Sequence, residues 1–240
     1  MNTTMMNLLA FDTSTDAMSI AVQRSVDGAL QVFEHTGPGG AQTSAHLIPA
    51  IQDLMRQAGL KFDQLDAIAF GCGPGSFTGL RTACSVAQGL AFGAKLKVLP
   101  IDTLQCLAEE ARFQFAPDLP RLQVMALLDA RMDEVYAASY EFNNGLWTQV
   151  GGYSLTRPED LEGNADCTLA GNVFAVYGER LPPALVQRFE ALPTAAALLR
   201  LAPALIAAGA AVPPEQALPI YIRDKVAKTT AERLAEKAAL

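Results

Sequence analysis

Histidine, tryptophan and cysteine are scarce in this chain of 240 residues, at two, one and four copies. The histidines, His35 and His46, stand apart and no H-E-x-x-H occurs, which argues against a histidine-rich catalytic zinc site. Cys72, Cys84, Cys106 and Cys167 are widely spaced with no C-x-x-C, a pattern of reduced thiols in the cytosol rather than a disulfide framework. Positive charge is short as well: 18 Lys and Arg face 25 Asp and Glu, for a net charge of −7. The basic footprint of a free-standing nucleic-acid binder is missing, so any RNA contact needs a partner to supply the charge. Long apolar runs are also absent. The N-terminal apolar segment has no basic flank and is interrupted by Asp12, and the helix expected over 79–94 carries Arg81 and Gln88 and is too short for a bilayer. The expectation is a cytoplasmic protein with no membrane contact.

Half of the residues are hydrophobic, enough to build one large domain or two of ordinary size. The most distinctive stretch is Gly71-Cys-Gly-Pro-Gly-Ser-Phe-Thr-Gly-Leu-Arg81. An apolar strand, Ala67–Gly71, runs into it. Glycine admits positive φ and proline fixes its own, so the composition specifies a tight turn. Ser76 or Thr78 can cap the helix that follows. That helix carries Gly79, Ala83, Ala87 and Ala91 at i, i+4, beside a second small stripe of Ser85, Gly89 and Gly93. Such a face admits a close backbone, either a partner helix or the chain's own sheet. No standard phosphate loop fits. A Walker loop needs Lys after its last glycine, where this chain has Leu80 and Arg81, and a dinucleotide fingerprint needs a third Gly where Ser76 or Thr78 stands.

Along the chain, strands are expected at Asn7–Ser14, Ala17–Gln23 and Leu30–Glu34, then a helix from about Ser44 to Ala58 that starts close enough to Pro49 to tolerate it and ends at Gly59. A short strand, 97–101, leads to a helix capped at Asp102-x-x-Gln105 and reaching about Phe115. After Pro117 and Pro120 the opening pattern recurs. Leu122–Arg131 is again an apolar strand ending in Asp129, Val135–Phe142 is a second strand, and Asn143-Asn-Gly145 turns into a third. A short strand at 168–170, a helix at 194–208 that Pro203 can kink, an extended Pro219–Arg223 and a terminal helix at 229–239 complete the reading. Two such halves predict a duplicated α/β fold of two lobes with mixed sheets and flanking helices, the layout of the actin, Hsp70 and sugar-kinase superfamily. The expected lobes are 1–106 with 214–240, and the smaller 107–213.

In that layout the two Asp-ended strands face each other across a cleft. Asp12, Thr13 and Ser14 then suit either phosphate and hydrated metal or an ordinary Asx/ST turn, and Asp129 with Arg131 is the matching element of the second half. Arg131 can instead pair with Asp133 or Glu134. His46, near a helix start, reads as a capping or part-buried residue. Ser76 lacks the G-x-S-x-G of a hydrolase nucleophile. Glu109, Glu110 and Arg112 read as a solvated helix face, and Lys225, Lys228, Arg233 and Lys237 as a charged surface helix.

Several runs together resemble the TsaB (YeaZ) family of bacterial tRNA threonylcarbamoyladenosine biosynthesis proteins. They are Leu9–Thr15, His46–Pro49, Gly73–Arg81 with Ala87–Ala91, Leu128–Arg131 with Glu134–Tyr136, and Pro219–Arg223. Gln88 departs from the family, which usually has Lys there. The resemblance implies an actin-like, ribonuclease H-like fold and a non-catalytic platform with no metal and no cofactor bound by this chain alone, ATP or ADP being placed at most at a partner seam. It implies a heterodimer with the paralogue TsaD, which carries the metal and the transferase site, and cooperation with the ATPase TsaE. The complex would attach threonylcarbamoyl to N6 of adenosine 37 in tRNAs reading ANN codons, tRNA being reached through the complex only. In isolation a homodimer is implied. The implied interface is Gly73, Pro74, Gly75, Ser76, Phe77, Thr78, Gly79, Leu80, Arg81, Ala83 and Ala87, and Asp12, Thr13, Ser14 and Asp129 would be a vestigial nucleotide site. The rival is an active ATP-dependent phosphotransferase on the same fold, and a peptidase built on Ser76 or His46 is a weaker third.

Overall fold

The computed structural model describes residues 5–162, 167–181 and 187–223. The terminal helix expected at 229–239, and its lysines, lie outside them.

Five strands form the first sheet: β1 (Leu8–Asp12), β2 (Ala17–Val26), β3 (Ala29–Pro38), β4 (Ala67–Gly73) and β5 (Lys97–Asp102), in the order β3-β2-β1-β4-β5. Five more form the second: β6 (Arg121–Arg131), β7 (Glu134–Asn143), β8 (Leu146–Thr156), β9 (Thr168–Gly171) and β10 (Arg188–Glu190), in the order β10-β9-β6-β7-β8. Reading β6 for β1 and so on makes the two orders identical. Directions match too. The first three strands of each sheet are antiparallel, and the last two run parallel to the first. Both meanders turn on a positive-φ pair, Asp27-Gly28 and Asn144-Gly145, the conformation that follows the right-handed twist of a hairpin. The duplicated, mixed α/β actin-like architecture expected from the pattern is therefore present.

The helices are α1 (Thr43–Gln57), α2 (Phe77–Ala94), α3 (Thr103–Phe115), α4 (Phe174–Tyr177) and α5 (Ala195–Ala207). The alternation along β1 sets the layers. Leu9 and Phe11 face α1 and α2, while Leu8 and Ala10 face α5. In the second half, Val124, Ala126 and Leu128 of β6 pack on Leu104, Leu107 and Ala111 of α3. Each long helix that follows a final strand therefore covers the other half's sheet. Helix α3, which follows β5, lies on sheet two, α5 lies on sheet one, and the two helices pack against each other.

Three local expectations change. Pro49 is the seventh residue of α1 rather than a first-turn residue, and Ala45, the residue whose carbonyl it leaves without a donor, is exposed to solvent. Residues 188–190 form a strand too short to show periodicity. Glu109 and Glu110 are buried rather than solvated. Arg112 and Arg200 pair with Glu109 at 2.9 Å, Arg200 also with Glu110, and the Trp147 indole N–H donates to Glu109 at 2.9 Å. Burial alone would raise the Glu109 pKa, but Arg112, Trp147 and Arg200 outweigh it and hold it below the usual carboxylate range.

Candidate functional site

The Asp12 turn and the glycine-rich turn form one joint. Strands β1 and β4 are parallel neighbours, so their C-terminal ends emerge side by side. The Ser76 N–H donates to the Ser14 carbonyl at 2.7 Å, and the Thr13 hydroxyl donates to the Gly79 carbonyl at 2.7 Å. Glycine is required by proximity. A Cβ on Gly75 would come within 2.7 Å of Ser14, and one on Gly71 within 1.8 Å of Asp12 Oδ2. Ser76 caps α2, its hydroxyl accepting from the Gly79 N–H at 3.4 Å, and the Gly73–Pro74 bond is cis.

Asp12, Thr13 and Ser14 are buried in this joint. Asp12 Oδ1 accepts from the Ser14 N–H at 2.9 Å and its hydroxyl at 2.6 Å, while Oδ2 is buried without a hydrogen-bond partner. Burial dominates over those two bonds and pushes the Asp12 pKa up to about 6. The ordinary Asx turn is thus what the carboxylate builds. Asp129 does the same in the second half. Its Oδ1 accepts from the Arg131 N–H at 2.8 Å and the Tyr177 hydroxyl at 3.1 Å, and its own N–H donates to Asn172 at 3.0 Å.

The two turns face each other across a cleft of about 610 Å³. Its walls include Asp16, Phe77 and Arg81 on one side and Asp129, Arg131 and Met132 on the other, with the extended 220–223 segment alongside. Arg131 does not pair with Asp133 or Glu134. It reaches Asp16 across the cleft and Asp129 at 3.1 Å, because Asp133 is taken by Arg180 and Glu134 by Arg223. Arg81 lies over the Phe77 ring at 3.7 Å and donates to the Tyr221 hydroxyl at 3.2 Å. The Thr13 and Ser14 hydroxyls donate to Gly79 and Asp12, and Arg131 is paired with Asp16 and Asp129, so these groups are engaged with the protein itself. Among the described residues no cluster of three His, Cys, Asp or Glu could hold a metal. His46 Nδ1 lies 2.9 Å from the Gln42 carbonyl within its own helix turn, which is no link to Ser76.

The expected interface divides into two sets. Gly73, Pro74, Gly79, Leu80, Ala83 and Ala87 are buried, and Ala83, Ala87 and Ala91 belong to the core beneath α2. Here the small stripe packs on the chain's own sheet, the close approach of α2 to β4 excluding any partner from those atoms. Ser76, Phe77, Thr78 and Arg81 are exposed, and Gly75 is half-buried. The second stripe is the free one. Ser85, Gly89 and Gly93 are exposed, nothing stands within 4 Å of a Cβ on either glycine, and Phe92 beside them is 80% exposed. Gln88 has a local role, its side chain donating to the Ala217 carbonyl at 3.0 Å. Asp16 and Asn172 in the cleft wall, and Tyr177 bonded to Asp129, carried no sequence signal, since each is defined by a partner distant in the chain.

Two duplicated sheets, with an Asp-ended strand of each facing one cleft, define a member of the actin-like, ribonuclease H-like class. The family described as TsaD, tRNA N6-adenosine threonylcarbamoyltransferase, matches residues 35–238. The chain is 32% identical over 232 residues to the tRNA threonylcarbamoyladenosine biosynthesis protein TsaB of Escherichia coli, covering 92% of this chain and 96% of that one. It is 33% identical to the Haemophilus influenzae TsaB, covering 92% and 95%. The solved YeaZ from Pseudomonas aeruginosa superposes with a TM-score of 0.81 at 39% identity, covering 91% of this chain and all of that one. The chain belongs to this threonylcarbamoyltransferase family, and within it to the TsaB (YeaZ) group.

Proposed function

We propose that this chain takes part in threonylcarbamoyladenosine biosynthesis on tRNA as a non-catalytic subunit, pairing with a TsaD-type partner and acting with TsaE. The names of the relatives at 32–33% identity over nearly the whole chain support the pathway. The observation that carries the non-catalytic role is the joint between the Asp12 and Gly79 turns. The residues that would grip nucleotide in an active superfamily member serve there as packing and as an Asx turn. An acidic chain suits a subunit that leaves tRNA to its partner.

The pairing surface we assign is the outer face of α2, Ser85, Gly89 and Gly93 with Phe92, together with the exposed Phe77, Thr78 and Arg81. Bare glycines let a partner helix approach closely, and Phe92 supplies apolar area to bury. This face serves either the homodimer or the TsaD heterodimer. The test is co-purification of the tagged chain with TsaD, and light scattering of the chain alone, for wild type and Gly89→Gln. Loss of both assemblies from a folded variant is expected, and unchanged assembly removes the face from the proposal. Titration with ATP and Mg²⁺ separates the phosphotransferase rival. Micromolar binding with turnover of some acceptor by the isolated chain would establish that rival.

A further inference from the structure

The segment from Ala217 to Arg223 forms no strand, yet it is fastened at both ends to different halves. At its start the Ala217 carbonyl accepts from Cys84 Sγ at 3.4 Å and Gln88 Nε2 at 3.0 Å, both on α2. The Ile220 N–H donates to the Cys72 carbonyl of β4 at 2.7 Å, and the Ile220 carbonyl fills the space where Gly73 lacks a side chain, 2.6 Å from an added Cβ. At its end Ile222 packs into the core of sheet two. The Arg223 guanidinium donates to the Ala130 carbonyl at 3.1 Å, touches Met132 Sδ at 2.9 Å and pairs with Glu134 at 2.7 Å.

What Arg223 holds is unusual. Arg131, Met132 and Asp133 have φ of 60°, 56° and 65°, three consecutive non-glycine residues in the left-handed region. Each is disfavoured there by its Cβ, and such a run persists only where the surroundings over-determine it. Met132 is 75% exposed, so packing does not hold the turn. Polar contacts do: Arg131 to Asp16 and Asp129, Asp133 to Arg180, and Arg223 to the carbonyl just before the run. The Arg131–Asp16 and Asp133–Arg180 pairs are solvent-exposed and individually weak. Arg223 is the most buried of these cations, its side chain 13% exposed, and its bonds are charge-assisted.

We propose that residues 217–223 are a strap that fixes the width of the cleft, with Arg223 as its key. The strap joins α2 and β4 to the β6–β7 turn, and Arg223 holds that turn in its left-handed form, in position for Arg131 to cross to Asp16. Releasing Arg223 lets the turn relax to ordinary backbone angles and uncouples the two halves at the cleft mouth. A partner that competes for Arg223 or Glu134 would in this way change the cleft from outside it.

The experiment uses the full chain with spin labels at Glu34→Cys on β3 and Glu141→Cys on β7, both exposed, the four native cysteines being buried. Label-to-label distance and amide hydrogen exchange are measured for wild type, Arg223→Ala and Glu134→Gln. One narrow distance is expected for wild type. Arg223→Ala should give a broadened or longer distribution and exchange at least about tenfold faster over 130–136, since it removes both the bond to the Ala130 carbonyl and the pair with Glu134, with the α2 amides unchanged. Should Arg223→Ala not fold, Glu134→Gln, which keeps the carbonyl bond, carries the test with a smaller acceleration over the same amides. A folded Arg223→Ala with wild-type distance and exchange overturns the strap, as does wild-type exchange in Glu134→Gln where the alanine variant fails to fold.

Discussion

The carbonyl oxygen of Thr13 occupies the space where a side chain on Gly79 would begin, 1.8 Å from the position of an added Cβ. That separation is far inside van der Waals contact with rigid backbone, so neither neighbour can yield cheaply. Gly79→Ala is expected to destabilise the fold by about 2 kcal/mol, the ordinary scale for overpacking, measured as a lower urea midpoint at unchanged slope. Gly89→Ala on the same helix, with open space around it, is expected to be stabilising by about 0.8 kcal/mol in the monomer, since alanine is the better helix former.

Asp12 makes stability fall as pH rises. Its folded pKa of about 6 lies above the unfolded 3.8, so between those values the folded state binds more proton than the unfolded state. Its contribution is complete below about pH 4, is lost on rising through pH 6, and amounts to about 3 kcal/mol between the two limits. Asp12→Asn should flatten this window. The check is the difference in unfolding free energy between wild type and variant from pH 4 to 8, which shares every other titration. A constant difference would contradict the buried carboxylate.

Ala87 and Gly89 separate the two faces of α2. Ala87→Leu should cost about 2 kcal/mol of stability through overpacking of the core, seen in the thermal midpoint of the monomer. Gly89→Gln should leave stability within about 1 kcal/mol of wild type while removing assembly. The outcome is read by pairing each melt with light scattering.

Arg200 serves two buried carboxylates. Arg200→Leu leaves Glu110 without its cation and Glu109 with only Arg112, and is expected to cost about 3 kcal/mol by denaturant unfolding. Double replacement, Arg200→Leu with Glu110→Gln, should recover part of it, because the charge rather than the packing creates most of the penalty.

The duplicated fold was legible because its signals are local. Asp12 and Asp129 each end an apolar run, and Asp27-Gly28 and Asn144-Gly145 each dictate a hairpin. The glycine-rich turn was legible as tight, but its purpose was not. Glycine spacing reports that something comes close, and only the structure identifies the Thr13 and Ser14 backbone as that something. The stripe Ala83, Ala87 and Ala91 was open between a partner and the chain's own sheet, because a sheet beneath a helix and a helix beside it ask for the same small residues, and the family resemblance placed Ala83 and Ala87 at an interface where the structure buries them in the core. Glu109 and Glu110 looked solvated because Arg200 lies 90 residues from Glu110, beyond any helical spacing rule. Arg131 illustrates the same limit, its partner Asp16 being 115 residues away.

The exchange of α3 and α5 has a consequence for synthesis. Sheet one is complete in sequence at Asp102, yet the helix that covers its second face ends at Ala207. A nascent chain therefore leaves the ribosome with Leu8, Ala10, Ala69 and Leu99 facing water until α5 emerges, long after the first strands have been made. Docking of α5 is the step that covers the second face of sheet one, so the core of the first half is completed by residues from the end of the second.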